Sequence, residues 1–204
     1  MAEDTQPKLI AAAETLLVEK GHASTTLRDI TELAGANVAS VAYHFGSKDE
    51  LVAKVYRDAL AEVTTVQRQA ILSLPSDATI RDVVSAWLSP ALNPETTNKR
   101  QQNLWALIRR GALEQAPGLA AAAGTVLEGE NPLFTRLAAL LPDVPLPLLR
   151  MRHDLVLGGV SAMFGAGLQR DAGSAAPPDL NSSDIVDWVV GGLAADVSSE
   201  HSTT

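Results

Sequence analysis

The residues best suited to chemistry lie in one stretch, Thr25–Leu51, and they are of types that bind nucleic acid. Arg28 can form paired hydrogen bonds with guanine, and small side chains can contact the methyl group of thymine. Hydroxyl and ammonium groups, such as those of Tyr43 and Lys48, can donate hydrogen bonds to phosphate oxygens. The candidate nucleic-acid contacts are Thr25, Thr26, Arg28, Asn37, Val38, Ala39, Ser40, Tyr43, His44 and Lys48.

The same stretch contains capping residues for consecutive helices. Thr26 and, three residues later, Asp29 predict a capping box at the start of one helix. Gly35 then predicts a tight turn, and Asn37 is a favourable N-cap for the next helix. Two short helices separated by such a turn are typical of a helix-turn-helix, which places its second helix in the major groove of DNA.

Further helices flank this motif. The apolar residues between Leu9 and Leu17 predict a supporting helix that ends near Gly21. A second capping box, formed by Ser47 and Glu50, predicts a long helix that follows the motif. The apolar residues expected on the buried faces of the two short helices are Leu27, Ile30, Leu33, Ala34, Val41 and Phe45.

The rest of the chain predicts helices, with no convincing strand alternation. The expected helices are Ile80–Leu92, Lys99–Gln115, Leu119–Leu141, Leu146–Arg170 and Ser183–Ser198. Pro132 is expected to kink or split the third of these, because proline disrupts a helix interior. The predicted fold is therefore all-α, with an N-terminal three-helix head joined by a long helix to a larger helical part.

The charge balance limits how such a head can bind DNA. The chain carries a formal net charge of −8. Residues 1–60 contain six Lys and Arg against nine Asp and Glu, a balance of −3. This excludes a polybasic mode of binding, so phosphate contacts must come from a few cations and from helix N-termini. The same balance supports an alternative, a protein-interaction adaptor that uses the head without sequence-specific DNA binding.

Residues 8–55 resemble the N-terminal domain of the tetracycline-repressor (TetR) family of bacterial transcription regulators. The matching segments are Thr25–Ile30, Ala34–Ala36, Val41–Phe45 and Gly46–Leu51, of which Tyr43-His44-Phe45 followed by Ser47-Lys48 is the most specific. The resemblance implies a homodimer that represses transcription and is released from double-stranded operator DNA by a small molecule. It places Thr26, Tyr43 and Lys48 on phosphates, and Arg28 and the start of the third helix at bases. Ala42 departs from the family, in which many members carry tyrosine or asparagine.

With this resemblance, we predict a DNA-binding domain over residues 1–50, a ligand-binding and dimerisation domain over residues 51–198, and a flexible tail over residues 199–204. The effector is expected to be largely apolar and to bind among the middle helices. The candidate ligand residues are Trp87, Trp105, Ile108, Arg109, Phe134 and His153. The alternative is that the apolar members are core residues and that Arg109 and Arg110 are surface arginines.

Small residues crowd the last two predicted helices. Glycine in a helix interior costs about 1 kcal/mol relative to alanine, so repeated glycines suggest closely approaching helices. We predict a homodimer interface there, with an intrachain core as the alternative. The candidate interface residues are Leu155, Gly159, Ala162, Met163, Ala166, Trp188, Val189 and Gly192.

No catalytic, metal-binding or cofactor-binding pattern accompanies these elements, so neither an enzyme nor a cofactor is predicted. The chain has no cysteine, which excludes disulfides and thiolate metal sites and fits the reducing cytoplasm. The apolar run Leu155–Gln169 is shorter than the ~20 residues that span a bilayer, so no membrane association is expected.

Overall fold

The computed structural model describes residues 5–93, 97–127, 131–166 and 181–196, without the side chains of residues 124–127 and 160–166. Within these residues the chain forms ten α-helices and no β-strand, which confirms the all-α prediction. None of the helices described there is long and apolar enough to cross a membrane.

The first four helices are α1 (Thr5–Ser24), α2 (Leu27–Ala34), α3 (Val38–Phe45) and α4 (Lys48–Leu72). Gly35 ends α2 after two turns, because it adopts the left-handed conformation (φ 62°, ψ 35°) and its N–H donates to the carbonyls of Thr31 and Glu32. This turn separates α2 from α3, as the helix-turn-helix prediction requires.

The later helices are α5 (Ile80–Leu92), α6 (Lys99–Leu113), α7 (Leu119–Leu127), α8 (Pro132–Leu140), α9 (Leu146–Ala166) and α10 (Ser182–Ala194). The single helix predicted over residues 119–141 is therefore two helices. Pro132 is the first residue of α8, where its missing N–H costs nothing. The predicted continuations of α9 to residue 170 and of α10 to residue 198, and the predicted tail, extend outside the described residues.

The first of two compact units comprises residues up to 65 together with residues 97–129. In it, α1 packs against α2, α3 and α6. Leu104 and Leu107 of α6 join the same apolar core as the head, so α6 helps to hold the helix-turn-helix. Burying such a side chain stabilises the fold by about 1.5–3 kcal/mol. The other main core residues are Leu9, Ala13, Leu17, Ile30, Val41, Leu51, Val55 and Tyr56.

The second unit comprises residues 66–96 and those from 130 onwards, which include α5, α8, α9 and α10. Here α10 packs against α5 and α9, while α8 also contacts α5 and α9. The main core residues are Ile71, Val83, Val84, Trp87, Leu133, Phe134, Leu137, Leu149, Val186, Val189 and Leu193. The predicted boundary near residue 50 concerns the division of function and stays a prediction, since the compact units group α6 and α7 with the head.

Candidate nucleic-acid interface

The two helices of the motif are positioned by N-caps in their own sequence. Thr26 Oγ1 accepts a hydrogen bond from Asp29 N (3.2 Å), and Asp29 Oδ2 accepts from Thr26 N (2.8 Å). At α3, Asn37 Oδ1 accepts from Ser40 N (2.9 Å) and from Ser40 Oγ (3.0 Å). Both predicted caps are therefore confirmed.

The Thr26 cap changes how the start of α2 can meet a phosphate. Thr26 Oγ1 donates its own proton to Asp29 Oδ2 (2.7 Å). The hydroxyl therefore has no second proton to give to a phosphate oxygen. The unbonded N–H groups of the first turn are better placed for that contact, because a helix N-terminus attracts anions.

One face of α3 is open to solvent and the other is buried. Tyr43 is 81% exposed, and Val38, Ala39 and Ala42 are exposed beside it. Val41 lies in the core of the first unit, as predicted. The Tyr43 ring makes an edge contact with the ring of half-buried His44, with centroids 5.0 Å apart. An exposed tyrosine among methyl-sized side chains suits insertion of this face into a groove.

Two predictions are wrong, one for Thr25 just before α2 and one for Leu33 within α2. Thr25 is only 1% exposed, and its hydroxyl donates to Gly21 O (2.6 Å), so its side chain cannot contact DNA. Leu33 is 55% exposed, and Thr31 is buried in its place. The Thr31 hydroxyl is satisfied by the carbonyls of Leu27 (3.0 Å) and Arg28 (3.1 Å), which makes its burial inexpensive.

The two predicted cations occupy different environments. Arg28 projects from α2 and is exposed. Lys48 is the first residue of α4 and is half-buried, and its Nζ donates to His22 O (3.1 Å) at the end of α1. Ser47 Oγ accepts from Glu50 N (3.1 Å), as expected for the cap of α4. The Lys48 ammonium thus keeps two protons for another acceptor while its position is restrained.

Two ion pairs hold lysines of the head next to its carboxylates, although the balance of −3 already counts both partners of each pair. Asp29 Oδ2 lies 2.7 Å from Lys20 Nζ, and Lys54 Nζ contacts both carboxylate oxygens of Asp58 (2.5 and 2.6 Å). The hydrogen bonds from Lys20 and from the Thr26 cap hold the pKa of Asp29 far below its usual value. Such exposed pairs contribute little to stability. They do bring positive charge next to carboxylates that would otherwise repel phosphates.

The predicted ligand residues lie in two different units. Trp87, Phe134 and His153 come together in the second unit, where His153 stacks on Trp87 (ring centroids 4.9 Å apart) and meets the edge of Phe134 (5.0 Å). In the first unit, Trp105 and Ile108 are partly buried against the core. Arg109 is exposed on α6, as the surface alternative expected. Among the described residues, no cluster of His, Asp or Glu could hold a metal ion.

Three of the five predicted dimer residues whose side chains the structure describes are exposed, Gly159 is half-buried and Val189 is buried. Leu155 is 67% exposed and Trp188 is 55% exposed, while Gly192 is also open. Gly159 lies against Trp188, because a Cβ there would be 3.0 Å from the indole. Val189 is fully buried in the core of the second unit, so its prediction as an interface residue is wrong. Ala162, Met163 and Ala166 lie in α9, but their side chains are outside the described part of the structure.

Sequence reasoning did not predict the contacts with the head of Glu114 and of Arg110, which was considered only as a ligand-binding or surface arginine. Arg110 of α6 and Glu114, the C-cap residue of α6, bind the end of α1 through hydrogen bonds to Val18, Glu19 and His22. Their i, i+4 spacing is a recognisable salt-bridge pattern. The spacing does not indicate which other groups of the protein such a pair binds.

Comparisons with known proteins place this site in a family. Residues 9–55 match the family model described as "Bacterial regulatory proteins, tetR family". The HTH-type transcriptional repressor KstR2 of Rhodococcus jostii (strain RHA1) is 35% identical over 91 residues, which are 41% of this chain and 45% of KstR2. The match thus spans less than half of the length of KstR2.

Two solved structures resemble the chain over nearly its whole length. A protein from Pseudomonas aeruginosa PAO1 covers 96% of this chain and 92% of its own, with a TM-score of 0.59 and 20% identity. RolR, in complex with the ligand resorcinol, covers 95% of this chain and 87% of its own, with a TM-score of 0.61 and 18% identity. At these identities the structures show a shared fold. The helix-turn-helix head, residues 9–55, thus matches the tetR family of bacterial regulatory proteins in sequence, and the chain shares its fold with these two structures.

Proposed function

We propose that the protein is a ligand-responsive DNA-binding regulator of transcription, a repressor that a small molecule releases from a near-palindromic operator. The observation that carries this proposal is the open face of α3 around Tyr43, in a segment that matches the tetR family model. The name of KstR2, a transcriptional repressor, supports the same direction of regulation. The chain then acts in the cytoplasm, where DNA is accessible.

The proposed DNA contacts fall into two groups, those with bases and those with phosphates. Arg28, Val38, Ala39 and Ser40 face the bases, where a guanidinium recognises guanine and methyl-sized groups contact thymine. Tyr43 and Lys48 bind phosphates, with Asn37 and His44 at the edges of the same face. The N-termini of α2, α3 and α4 add backbone N–H groups. A few contacts of this kind suit a short operator better than general binding to DNA.

Two places could hold the effector. In the first unit, Gln101 Oε1 and Trp105 Nε1 lie one helical turn apart on α6, and both are buried without a hydrogen-bond partner within the described residues. A hydroxyl can accept from the indole and donate to the amide, so a largely apolar alcohol or phenol fits this pair. In the second unit, the rings of Trp87, His153 and Phe134 offer an apolar surface. Resorcinol, the ligand in the RolR complex, is a phenol, the class of compound that would fit Gln101 and Trp105.

The dimer would form through α9 and α10 of both protomers. Leu155 and Trp188 expose large apolar surfaces that a partner can bury. Within the described residues, a Cβ on Gly158, Gly191 or Gly192 would meet no atom within 4 Å, so packing inside one chain does not require glycine there. Close approach of a second protomer would require it. A two-fold dimer would place its two α3 helices about 34 Å apart, in successive major grooves.

The test is a gel shift with genomic fragments and three variants. We expect the wild type to retain a near-palindromic fragment at modest salt. Tyr43→Ala and Lys48→Ala should each weaken binding roughly 10-fold to 100-fold, as expected for one charge-assisted hydrogen bond. Lys48→Ala should also reduce the dependence of log Kd on log salt by about 1, because one phosphate contact is lost.

The matched control is Lys54→Ala, which removes the same charge from a lysine that pairs with Asp58 on α4. It should change affinity much less than Lys48→Ala. If no fragment is retained by the folded wild type, or if Tyr43→Ala and Lys48→Ala bind as the wild type does, the adaptor is favoured. The acidic balance of the head and the exposed Leu33 are the observations in favour of that second candidate.

A further inference from the structure

The end of α1 is capped by side chains from other helices. Gly21 leaves the helical conformation (φ 79°, ψ 177°), so the preceding carbonyls lose their partners within α1. Arg110 Nη1 of α6 donates to Val18 O (3.1 Å) and to Glu19 O (3.0 Å). In the other direction, Glu114 Oε2 accepts from His22 N (2.7 Å).

Arg110 and Glu114 also bind each other, and the distance between Arg110 Nε and Glu114 Oε1 is 2.9 Å. Burial alone would raise the pKa of Glu114, but the hydrogen bonds from Arg110 and from His22 N bring it below its usual value. The carboxylate is therefore ionised at neutral pH. We call these two residues, with the α1 groups that they bind, the α6 clasp.

The α6 clasp requires glycine at position 21. A Cβ there would lie 2.6 Å from Glu114 Oε2 and 2.7 Å from Arg110 Nε, closer than real Cβ contacts. The positive φ independently disfavours any other L-residue. Both the backbone conformation of α1 and the close approach of the ion pair therefore depend on the same residue.

His22 connects the α6 clasp to the DNA-binding head. Its N–H is bound by Glu114, while its carbonyl accepts from Lys48 Nζ (3.1 Å). Its imidazole Nε2 also lies 3.6 Å from Asp49 Oδ1 on the first turn of α4. His22 thus donates a main-chain hydrogen bond to Glu114 on one side and accepts one from Lys48 at the start of α4 on the other.

We propose that Arg110 and Glu114 are positioning residues for DNA binding, which hold the end of α1 so that its His22 carbonyl fixes the ammonium of Lys48. This inference rests on the proposed function, in which Lys48 binds a phosphate.

The test compares Arg110→Ala and Glu114→Gln with Arg109→Ala, which removes the same charge from the adjacent exposed arginine. We expect Arg110→Ala to weaken operator binding roughly 10-fold, the effect of losing one charge-assisted hydrogen bond at the phosphate. Glu114→Gln should have a smaller effect in the same direction. Arg109→Ala should bind nearly as the wild type does. Circular dichroism on each variant checks that the head is folded.

Double variants separate positioning from general destabilisation. Arg110→Ala should add little loss to Lys48→Ala, because both remove the same contact, but should add its full loss to Tyr43→Ala. If Arg110→Ala lowers operator affinity by the same factor on both backgrounds, the proposal is overturned while the proposed function stays intact. If Arg110→Ala does not fold, Glu114→Gln is combined with Lys48→Ala and with Tyr43→Ala in its place, and the same comparison tests the proposal.

A measurement without DNA distinguishes failure of this inference from failure of the proposed function. Limited acetylation of the full chain, read by mass spectrometry, reports how strongly the Lys48 amine is held. Its rate should rise several-fold in Arg110→Ala and stay unchanged in Arg109→Ala. An unchanged rate in Arg110→Ala would overturn the clasp even if the wild type binds an operator. A raised rate would support it even if no operator is retained.

Discussion

His153 lies between the rings of Trp87 and Phe134, and only 2% of it is exposed to solvent. Burial lowers the pKa of His153, and Arg150 acts in the same direction, whereas the hydrogen bond with Asp154 acts against them. The folded state therefore holds this imidazole neutral at a pH at which the unfolded chain, with a pKa near 6.5, binds a proton.

The sign of the pH dependence follows. Because the unfolded state binds more protons, the free energy of unfolding of the second unit should fall as the pH is lowered from 7.5 through 6.5 towards the folded pKa. Urea denaturation at pH 7.5 and 5.5 measures this difference. His153→Gln should flatten the dependence, whereas His44→Gln, on the half-buried histidine of the head, should retain it. An identical slope in His153→Gln and the wild type would refute the assignment.

Which individual side chains are buried was only partly predictable. Val41 was assigned correctly, but on α2 the burial of Leu33 and Thr31 is the reverse of the expectation. A helix of two turns provides few apolar positions, so its buried direction is poorly defined by periodicity. Thr31 is tolerated inside because backbone carbonyls satisfy its hydroxyl, which is visible only in the folded chain.

At the scale of the helices, α6 and α4 approach closely at Gly111. A Cβ on Gly111 would lie 2.6 Å from Tyr56 Oη and 2.7 Å from two ring carbons. Tyr56 is only 1% exposed, so its ring has little room to move. The same burial raises the pKa of Tyr56 to about 12. Gly111→Ala should therefore destabilise the first unit by about 1–3 kcal/mol through overpacking.

A double-mutant cycle with Tyr56→Leu checks the cause of this effect. The smaller leucine leaves space for the added methyl group, so Gly111→Ala should cost less on that background and approach the gain of about 1 kcal/mol expected from helix propensity. Urea denaturation of the four proteins gives the coupling energy. If the cost of Gly111→Ala is the same on both backgrounds, contact with Tyr56 is not its origin.

Helices were more predictable than the contacts between them. The starts of α2 and α3 were predicted from Thr26 and Asn37, because a cap needs only residues that are close in sequence. Pro132 predicted either a kink or a split between α7 and α8, because proline disrupts the helix around its own position. The partners of Arg110 are about 90 residues away in the chain, so no local pattern could indicate them.

For the whole molecule, the proposed function requires two heads that act together. Leu155→Glu and Trp188→Glu should each convert a dimer into monomers, because they would bury a charge at the proposed α9–α10 interface. Sedimentation velocity should show an increase of at least about 100-fold in the dimer dissociation constant, which corresponds to ~3 kcal/mol. Operator affinity should fall with it, since a monomer binds only one half-site.

Leu72→Glu is the matched control for these variants, because Leu72 is also an exposed leucine (58%) but lies on α4 rather than on α9 or α10. It should leave the association state unchanged. If the wild type sediments as a monomer at micromolar concentration, or if Leu155→Glu remains a dimer, this face is not the dimer interface.

The grouping of residues 97–129 with the head was not predictable from the sequence, since it arises from packing between distant parts of the chain.

The α6 clasp also has a consequence for how the sequence can change in evolution. On α1 its bonding groups are main-chain atoms of Val18, Glu19 and His22, which any amino acid other than proline supplies. These positions can therefore drift without breaking the connection. The constraint falls on the glycine and on the two side chains of α6, and an arginine lost from α6 should be accompanied by loss of its carboxylate partner. Related regulators could thus keep the connection while the α1 segment it binds becomes unrecognisable.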